Sequence, residues 1–333
     1  MTLISGTLIS TSANSWFGAW IGLEINLLSF IPLITNTKNL FSTEASLKYF
    51  LTQALASATL LLAVTINALT FSVVSPSLIQ RTLIPVLISS ALLLKMGAAP
   101  FHFWFPGVIE GLNWINGLAL ITWQKIAPLM LLSYTLKLDI FIALVIVLSV
   151  LIGSLGGLNQ TSLRKIIAYS SINHLGWLIA AITISESLWG LYFSVYTFLR
   201  TAIIYILNSF KLFHVNQVFS LNYVSPIKKF AVFTTFLSLG GLPPFLGFLP
   251  KWLVIQAIVQ SGIITLVTLI VVITLITLYY YLRTSFGAFM LTYAEPLWNF
   301  QTPQNSSLNL LTLTFSMTST LGLVVSSLLF NFL

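Results

Sequence analysis

Apolar stretches long enough to cross a lipid bilayer follow one another along this chain with very few charges inside them, and this pattern rules out most folds. Of 333 residues, 57% are hydrophobic and 6% charged, with a mean hydropathy of +1.00. That leaves too little polar surface to solvate a globular core, so lipid must be the solvent. Polar and turn residues divide the sequence into helices near 2–12, 15–35, 47–71, 82–105, 115–135, 139–158, 166–184, 188–210, 228–259, 262–289 and 307–332. The expected fold class is therefore an all-α polytopic membrane protein with about eleven transmembrane helices. The first segment is too short to span alone: either it starts within the bilayer, or the chain has about ten full spans.

Basic residues test that count, because they gather in loops on the side from which insertion occurs. If the N-terminus and every second loop share a side, that side holds Lys38, Lys48, Arg164, Lys165, Lys211, Lys228, Lys229 and Arg283, against Arg81 and Lys137 opposite. The expectation is an N-terminus on the inner face and a C-terminus on the outer. Asn305-Ser306-Ser307 matches a glycosylation acceptor but falls on the inner side, so it reads as a polar loop. Residues 1–12 contain no basic residue, unlike an Arg-rich transit peptide, so no cleavable presequence is expected.

With no cysteine, the chain cannot form disulfides or thiolate-bound metal and iron–sulfur sites, and three scattered histidines do not suggest a metal cluster. Any redox chemistry should lie on other chains. The net charge of +8 is dispersed among apolar segments and helix ends rather than along a solvated stripe, so nucleic acid is not an expected partner.

One pattern, GxxPFxxxxP, occurs twice: at Gly97, Pro100, Phe101 and Pro106, and at Gly241, Pro244, Phe245 and Pro250. Each copy puts Gly and Pro inside or at the end of an apolar helix, where they free backbone polar groups that protein or water must satisfy. Paired breaks in two halves mark transporters with internal repeats, in which the gap lies near the ion path, although a shared packing kink gives the same pattern.

Glu24, Lys95, Lys125, Arg200 and Lys251 fall inside expected spans. Each costs about 2.5–3.5 kcal/mol at a helix centre, so they should face protein or water. Lys95 precedes the first break, Lys125 sits mid-span beyond snorkelling reach, and Lys251 follows Pro250. Glu24 is the one acid inside a span, hence the natural partner of a buried lysine. Burial disfavours an ammonium and a nearby carboxylate restores it, so moving one charge can load or unload its neighbour. His174, early in the seventh helix, can relay protons or serve as a hydrogen-bonded structural residue. His102 and His214 read as interface residues, and the remaining acids Glu44, Glu110, Asp139, Glu186 and Glu295 as loop or helix-end groups. Arg200 keeps its charge at any working pH, so it can balance a carboxylate or headgroup but cannot carry a proton.

Taken in order, these residues resemble a known family over nearly the whole chain. The segments are Trp20–Leu27 (WIGLEINL), Leu94–Trp104 (LKMGAAPFHFW), Trp123–Pro128 (WQKIAP) and Ser238–Trp252 (SLGGLPPFLGFLPKW), joined by Gly157–Lys165 and Ser170–Trp177. They are similar to the antiporter-like membrane-arm subunits of NADH:ubiquinone oxidoreductase, respiratory complex I, and fit best with subunit 2 of animal mitochondria. The resemblance implies two inverted five-helix repeats with one broken helix each, here 1–135 and 136–290, followed by a loop and flanking helix over 291–333. It implies that Glu24 pairs with Lys95, that Lys125 lies on a central hydrophilic axis, and that Lys251 occupies the distal broken helix. Arg200 has no counterpart in the family's motif. Bacterial relatives carry three further N-terminal helices that this chain lacks.

The expected function is proton translocation across the mitochondrial inner membrane, coupled to quinone reduction elsewhere in a hetero-oligomeric complex. FMN, iron–sulfur clusters and ubiquinone would be held by other subunits, and phospholipids and accessory subunits would be neighbours. The candidate site residues are Glu24, Lys95, Lys125, Lys251 and His174. Two rivals stand beside this reading: a free-standing cation/proton antiporter, and a passive scaffold whose buried pairs hold the arm together.

Overall fold

A computed structural model describes residues 1–36, 39–72, 78–136, 138–219, 226–290 and 312–323. The described residues are helical apart from turns and one isolated antiparallel bridge between Ser162 and His214. The expected basic residues Lys38 and Lys137 and the Asn305–Ser307 loop lie outside the described residues. The chain divides into two compact units, Met1–Ser149 and Val150–Leu333.

The first unit contains α1 (Thr2–Ser12), α2 (Trp16–Ile34), α3 (Leu40–Ser72), α4 (Leu78–Met96), α5 (Trp104–Gly111), α6 (Trp114–Ile121), α7 (Trp123–Ser133) and the start of α8 (Ile140–Leu158). The short α1 packs along α2 through small residues. A Cβ on Gly22 would lie 2.5 Å from the Ser10 amide nitrogen, and one on Gly6 2.9 Å from that of Asn26. Two backbones can approach this closely in lipid only where side chains are absent. Helix α3 packs against α2, α4 and α5, and α7 against α4 and α6.

The second unit holds the rest of α8, then α9 (Leu163–Ile182), α10 (Glu186–Ser209), α11 (Val215–Phe219), α12 (Pro226–Gly240), α13 (Phe248–Gln260), α14 (Ile264–Met290) and α15 (312–323). Helix α9 is buried on almost every side. That explains how one helix holds Ser170, Ser171, Asn173 and His174: it faces protein instead of lipid.

Local chemistry sets the ends. The hydroxyl of Ser15 accepts from Gly18 N at 3.2 Å to start α2, and that of Ser185 accepts from Leu188 N at 3.3 Å to start α10. Inside the helices, hydroxyls such as those of Ser149 and Ser171 donate to carbonyls one turn back, satisfying themselves without water.

Among the described residues six segments are long and apolar enough to cross a membrane. Several expected spans prove to be interrupted or shifted. The span expected over 82–105 ends at Met96, that over 115–135 is split at Thr122, that over 228–259 is split between Gly240 and Phe248, and α3 begins at Leu40 rather than near 47. The gain at α3 brings Glu44 into helix, where its carboxylate takes Lys48 Nζ at 2.6 Å one turn on.

Candidate functional site

The repeated GxxPFxxxxP pattern does the same work in both units. Gly97 has φ +72° and Gly241 φ +77°, a conformation that costs other residues strain, and each ends a helix. Ala98 N donates to Leu93 O and Gly97 N to Leu94 O, both at 3.1 Å, the paired bonds that close a helix on a left-handed residue. The last proline of each copy, Pro106 or Pro250, is the third residue of the following helix, where its missing N–H has no intrahelical partner to lose.

At the first break side chains add donors to the carbonyl end of α4, one to Lys95 O and a second one to Leu94 O, which already accepts from Gly97 N. Gln53 Nε2 donates to Lys95 O at 3.1 Å and Trp104 Nε1 to Leu94 O at 3.2 Å. At the second break Lys251 Nζ donates to Gly240 O at 2.9 Å, capping the carbonyl end of α12 from the first turn of α13. Leu246 N, inside the break, donates to Ser319 O of α15 at 3.1 Å.

In the first unit Lys95 and Lys125 line one cavity of about 20 Å³, room for roughly one water molecule. Its polar wall is completed by Asn26, Tyr49, Gln53 and Gln124, and Gln124 Nε2 donates to Asn26 Oδ1 at 3.0 Å. Lys95 is buried in the last turn of α4; Lys125 is 1% exposed, with Nζ 5.0 Å from the centre of the Phe105 ring. It lies just past the interruption at Thr122, and Pro128 in the same helix cannot donate to the Gln124 carbonyl. Glu24, half-buried on α2, is electrostatically coupled to Lys95 without a contact ion pair between them. Three of the expected site residues are thus brought together, with the carboxylate set back from the ammonium.

In the second unit His174 Nδ1 is 2.9 Å from Tyr192 Oη, and its ring centroid is 5.2 Å from that of Tyr196. Arg200 is completely buried, bonded through Nη1 to Ser170 Oγ at 2.9 Å and stacked 5.1 Å from the Tyr196 ring. It is coupled electrostatically to Tyr280, Tyr281 and Lys251. Lys251 and His174 are therefore related through Arg200 and its tyrosines and not by direct contact. His102, expected at an interface, is buried, with Nδ1 3.2 Å from Pro100 O.

Asn26, Gln53, Gln124 and Tyr49 were not anticipated from sequence. The amides carry the same signal as the charges, a polar group within an apolar run, at smaller amplitude. Tyr49 carries none, since a tyrosine in a span is equally at home as packing.

Comparison with known proteins gives the family. The family model described as NADH:quinone oxidoreductase/Mrp antiporter, TM, matches residues 13–277. NADH-ubiquinone oxidoreductase chain 2 of Anopheles gambiae is 54% identical over 329 residues, covering 98% of this chain and 96% of the relative. The same protein of Oryctolagus cuniculus is 41% identical over 322 residues, covering 91% and 86%. Among solved structures, a chain of respiratory complex I from Thermus thermophilus with bound aureothin superposes with a TM-score of 0.85 at 26% identity, covering 98% of this chain and 77% of that one. The Mrp complex from Dietzia sp. DQ12-45-1b, at 18% identity, TM-score 0.84 and coverage of 98% and 74%, shows the shared antiporter-like fold. The chain belongs to the NADH:quinone oxidoreductase/Mrp antiporter transmembrane family, and within it to the NADH-ubiquinone oxidoreductase chain 2 proteins.

Proposed function

We propose that Glu24, Lys95, Lys125 and Lys251 carry the protons that this membrane-arm subunit moves across the mitochondrial inner membrane, while quinone is reduced elsewhere in the complex. The observation that carries the reading is the cavity of the first unit, where two lysines share a water-sized polar space beside a broken helix and a set-back carboxylate.

Two ammonium groups around one small cavity disfavour each other's charge, and a carboxylate nearby favours it. A change in Glu24's charge or position then shifts the proton between Lys95 and Lys125, across a cavity with room for one water. Gln53 and Gln124 give that space its polar wall, and the Phe105 ring lies 5.0 Å from the Lys125 head. Protons passed on would reach Lys251, whose capping of Gly240 O ties its charge to the state of the second break. His174, bonded to Tyr192, is an additional relay. Moving one charge against the membrane potential costs about 2.3 kcal/mol per 100 mV, which the redox reaction on other subunits supplies.

The full arrangement we propose has about eleven spans in two inverted five-helix repeats, 1–135 and 136–290, with 291–333 flanking them. The N-terminus lies on the matrix side and the C-terminus on the intermembrane-space side. FMN, iron–sulfur clusters and ubiquinone lie on other subunits, with phospholipids and accessory subunits against the apolar faces.

The test is redox-driven pumping by the assembled complex carrying Lys95→Met or Glu24→Gln. Both are expected to lose most of the proton-to-electron ratio. An unchanged ratio and turnover would sink the proposal, and loss of assembly with normal pumping per assembled complex would favour the scaffold reading.

A further inference from the structure

We infer that Arg200 is a positioning residue for proton transfer in the second unit, a fixed buried positive charge that sets how readily Lys251 gives up its proton. The inference rests on the reading of Lys251 as a proton carrier. A guanidinium cannot be deprotonated at working pH, and placing one at mid-helix costs about 2.5–3.5 kcal/mol unless protein compensates it. Here the compensation is neutral. Arg200 is met by Ser170 Oγ of α9 at 2.9 Å, by Ile167 O of α9 at 3.5 Å and by the Tyr196 ring of its own helix at 5.1 Å. Among the described residues no carboxylate joins this group. Hydroxyls and rings solvate a cation without cancelling it, so the net positive charge persists inside the unit.

That charge lies where it can act on the second break. Leu199, the preceding residue, has its Cδ1 only 3.2 Å from where a Cβ on Gly247 would stand, so this turn of α10 lies against the break. Tyr281, coupled to Arg200, is 3.7 Å from the corresponding position on Gly240, the residue whose carbonyl Lys251 holds. Arg200 is the charged group coupled to Lys251 among the described residues. The ionisable groups facing Arg200 are Tyr192 and Tyr196 from α10, Tyr280 and Tyr281 from α14 and Lys251 from α13, and His174 of α9 touches Tyr192 and Tyr196. Lys251 and His174 both exchange between a positive and a neutral form, but His174 meets Tyr192 and Tyr196 while Lys251 is itself coupled to the arginine.

The experiment measures protons pumped per electron pair against pH in reconstituted complex I carrying the wild-type chain, Arg200→Gln, Arg200→Lys, Ser170→Asp or Lys251→Met. Removing the charge in Arg200→Gln is expected to move the alkaline limb of the profile upward by about one pH unit, while Arg200→Lys keeps the wild-type limb. An assembled Arg200→Gln complex with the wild-type profile would overturn the inference, as would Arg200→Lys shifting as far as Arg200→Gln. If Arg200→Gln does not assemble, Ser170→Asp, which sets a carboxylate beside the guanidinium and cancels its charge, carries the test, with a shift in the same direction expected and an unchanged profile decisive against it. Lys251→Met is expected to lose pumping. Normal pumping there would remove the reading beneath the inference, whereas failure of the arginine variants alone leaves that reading standing.

Discussion

A methyl group on Gly241 would stand 3.0 Å from both Cδ and Nζ of Lys251, on a backbone held at φ +77°. The strained conformation alone costs a side-chain-bearing residue about 1–2 kcal/mol. The lysine, as the flexible partner, must then give by a few tenths of an ångström, which loosens its bond to the Gly240 carbonyl at the end of α12. Gly241→Ala is therefore expected to lower the thermal unfolding midpoint of the membrane arm and, in the complex that does assemble, the proton-to-electron ratio. A normal ratio would detach Lys251's position from its function. The charged residues of the site were legible in the sequence because a charge in an apolar run has an energetic cost that demands a reason. Their neutral neighbours were less so: Asn26, Gln53 and Gln124 stand in the same runs but raise that demand weakly. Arg200 was visible as a buried charge and yet had no role, because its partners are a serine of α9 and a tyrosine of its own helix, residue types that announce nothing by themselves.

A helix broken in lipid survives only if each freed carbonyl finds a donor, and at the first break these donors come from different elements. Gln53 reaches Lys95 O from α3, and Trp104 reaches back to Leu94 O from α5. Losing the Gln53 donor to the buried Lys95 carbonyl costs about 1–3 kcal/mol, whereas Leu94 O still accepts from Gly97 N after Trp104→Phe and loses less. Gln53→Leu and Trp104→Phe should each lower the unfolding midpoint, and the double variant should depart from additivity because the two carbonyls are adjacent. Gln53→Leu also removes a polar wall of the lysine cavity, so it is expected to slow pumping while Trp104→Phe leaves the rate per assembled complex nearer normal. Equal effects on pumping would mean that the amide serves the break alone. The places of the two breaks could be read from glycine and proline, since a left-handed helix stop and a first-turn proline are chemical requirements. The interruption at Thr122 could not: its sequence trace is Pro128, which is accommodated inside α7 and marks no boundary. The α9 helix likewise read as an ordinary span, whereas its near-complete burial is a property of its neighbours.

At the scale of the molecule, the distribution of basic residues makes a claim about sidedness. Eight of them, Lys38, Lys48, Arg164, Lys165, Lys211, Lys228, Lys229 and Arg283, fall on the side proposed for the matrix, against Arg81 and Lys137 on the other. Insertion retains positive loops, so a split of this size orients the whole chain, and reversing it would place most of the basic loops across the membrane. Because the chain contains no cysteine, an introduced one is its only thiol. Asn159, exposed between α8 and α9, and Ser187, exposed at the start of α10, bracket the buried helix α9 and so should lie on opposite sides. A membrane-impermeant maleimide should label Asn159→Cys in inside-out vesicles and Ser187→Cys in right-side-out mitoplasts, with both variants labelled after detergent. The reverse pattern would invert the topology and with it the direction in which Lys251 releases protons. Labelling of both sites from one side would instead mean that α9 does not cross the membrane, and the parity that links the N-terminus to the matrix would fail there.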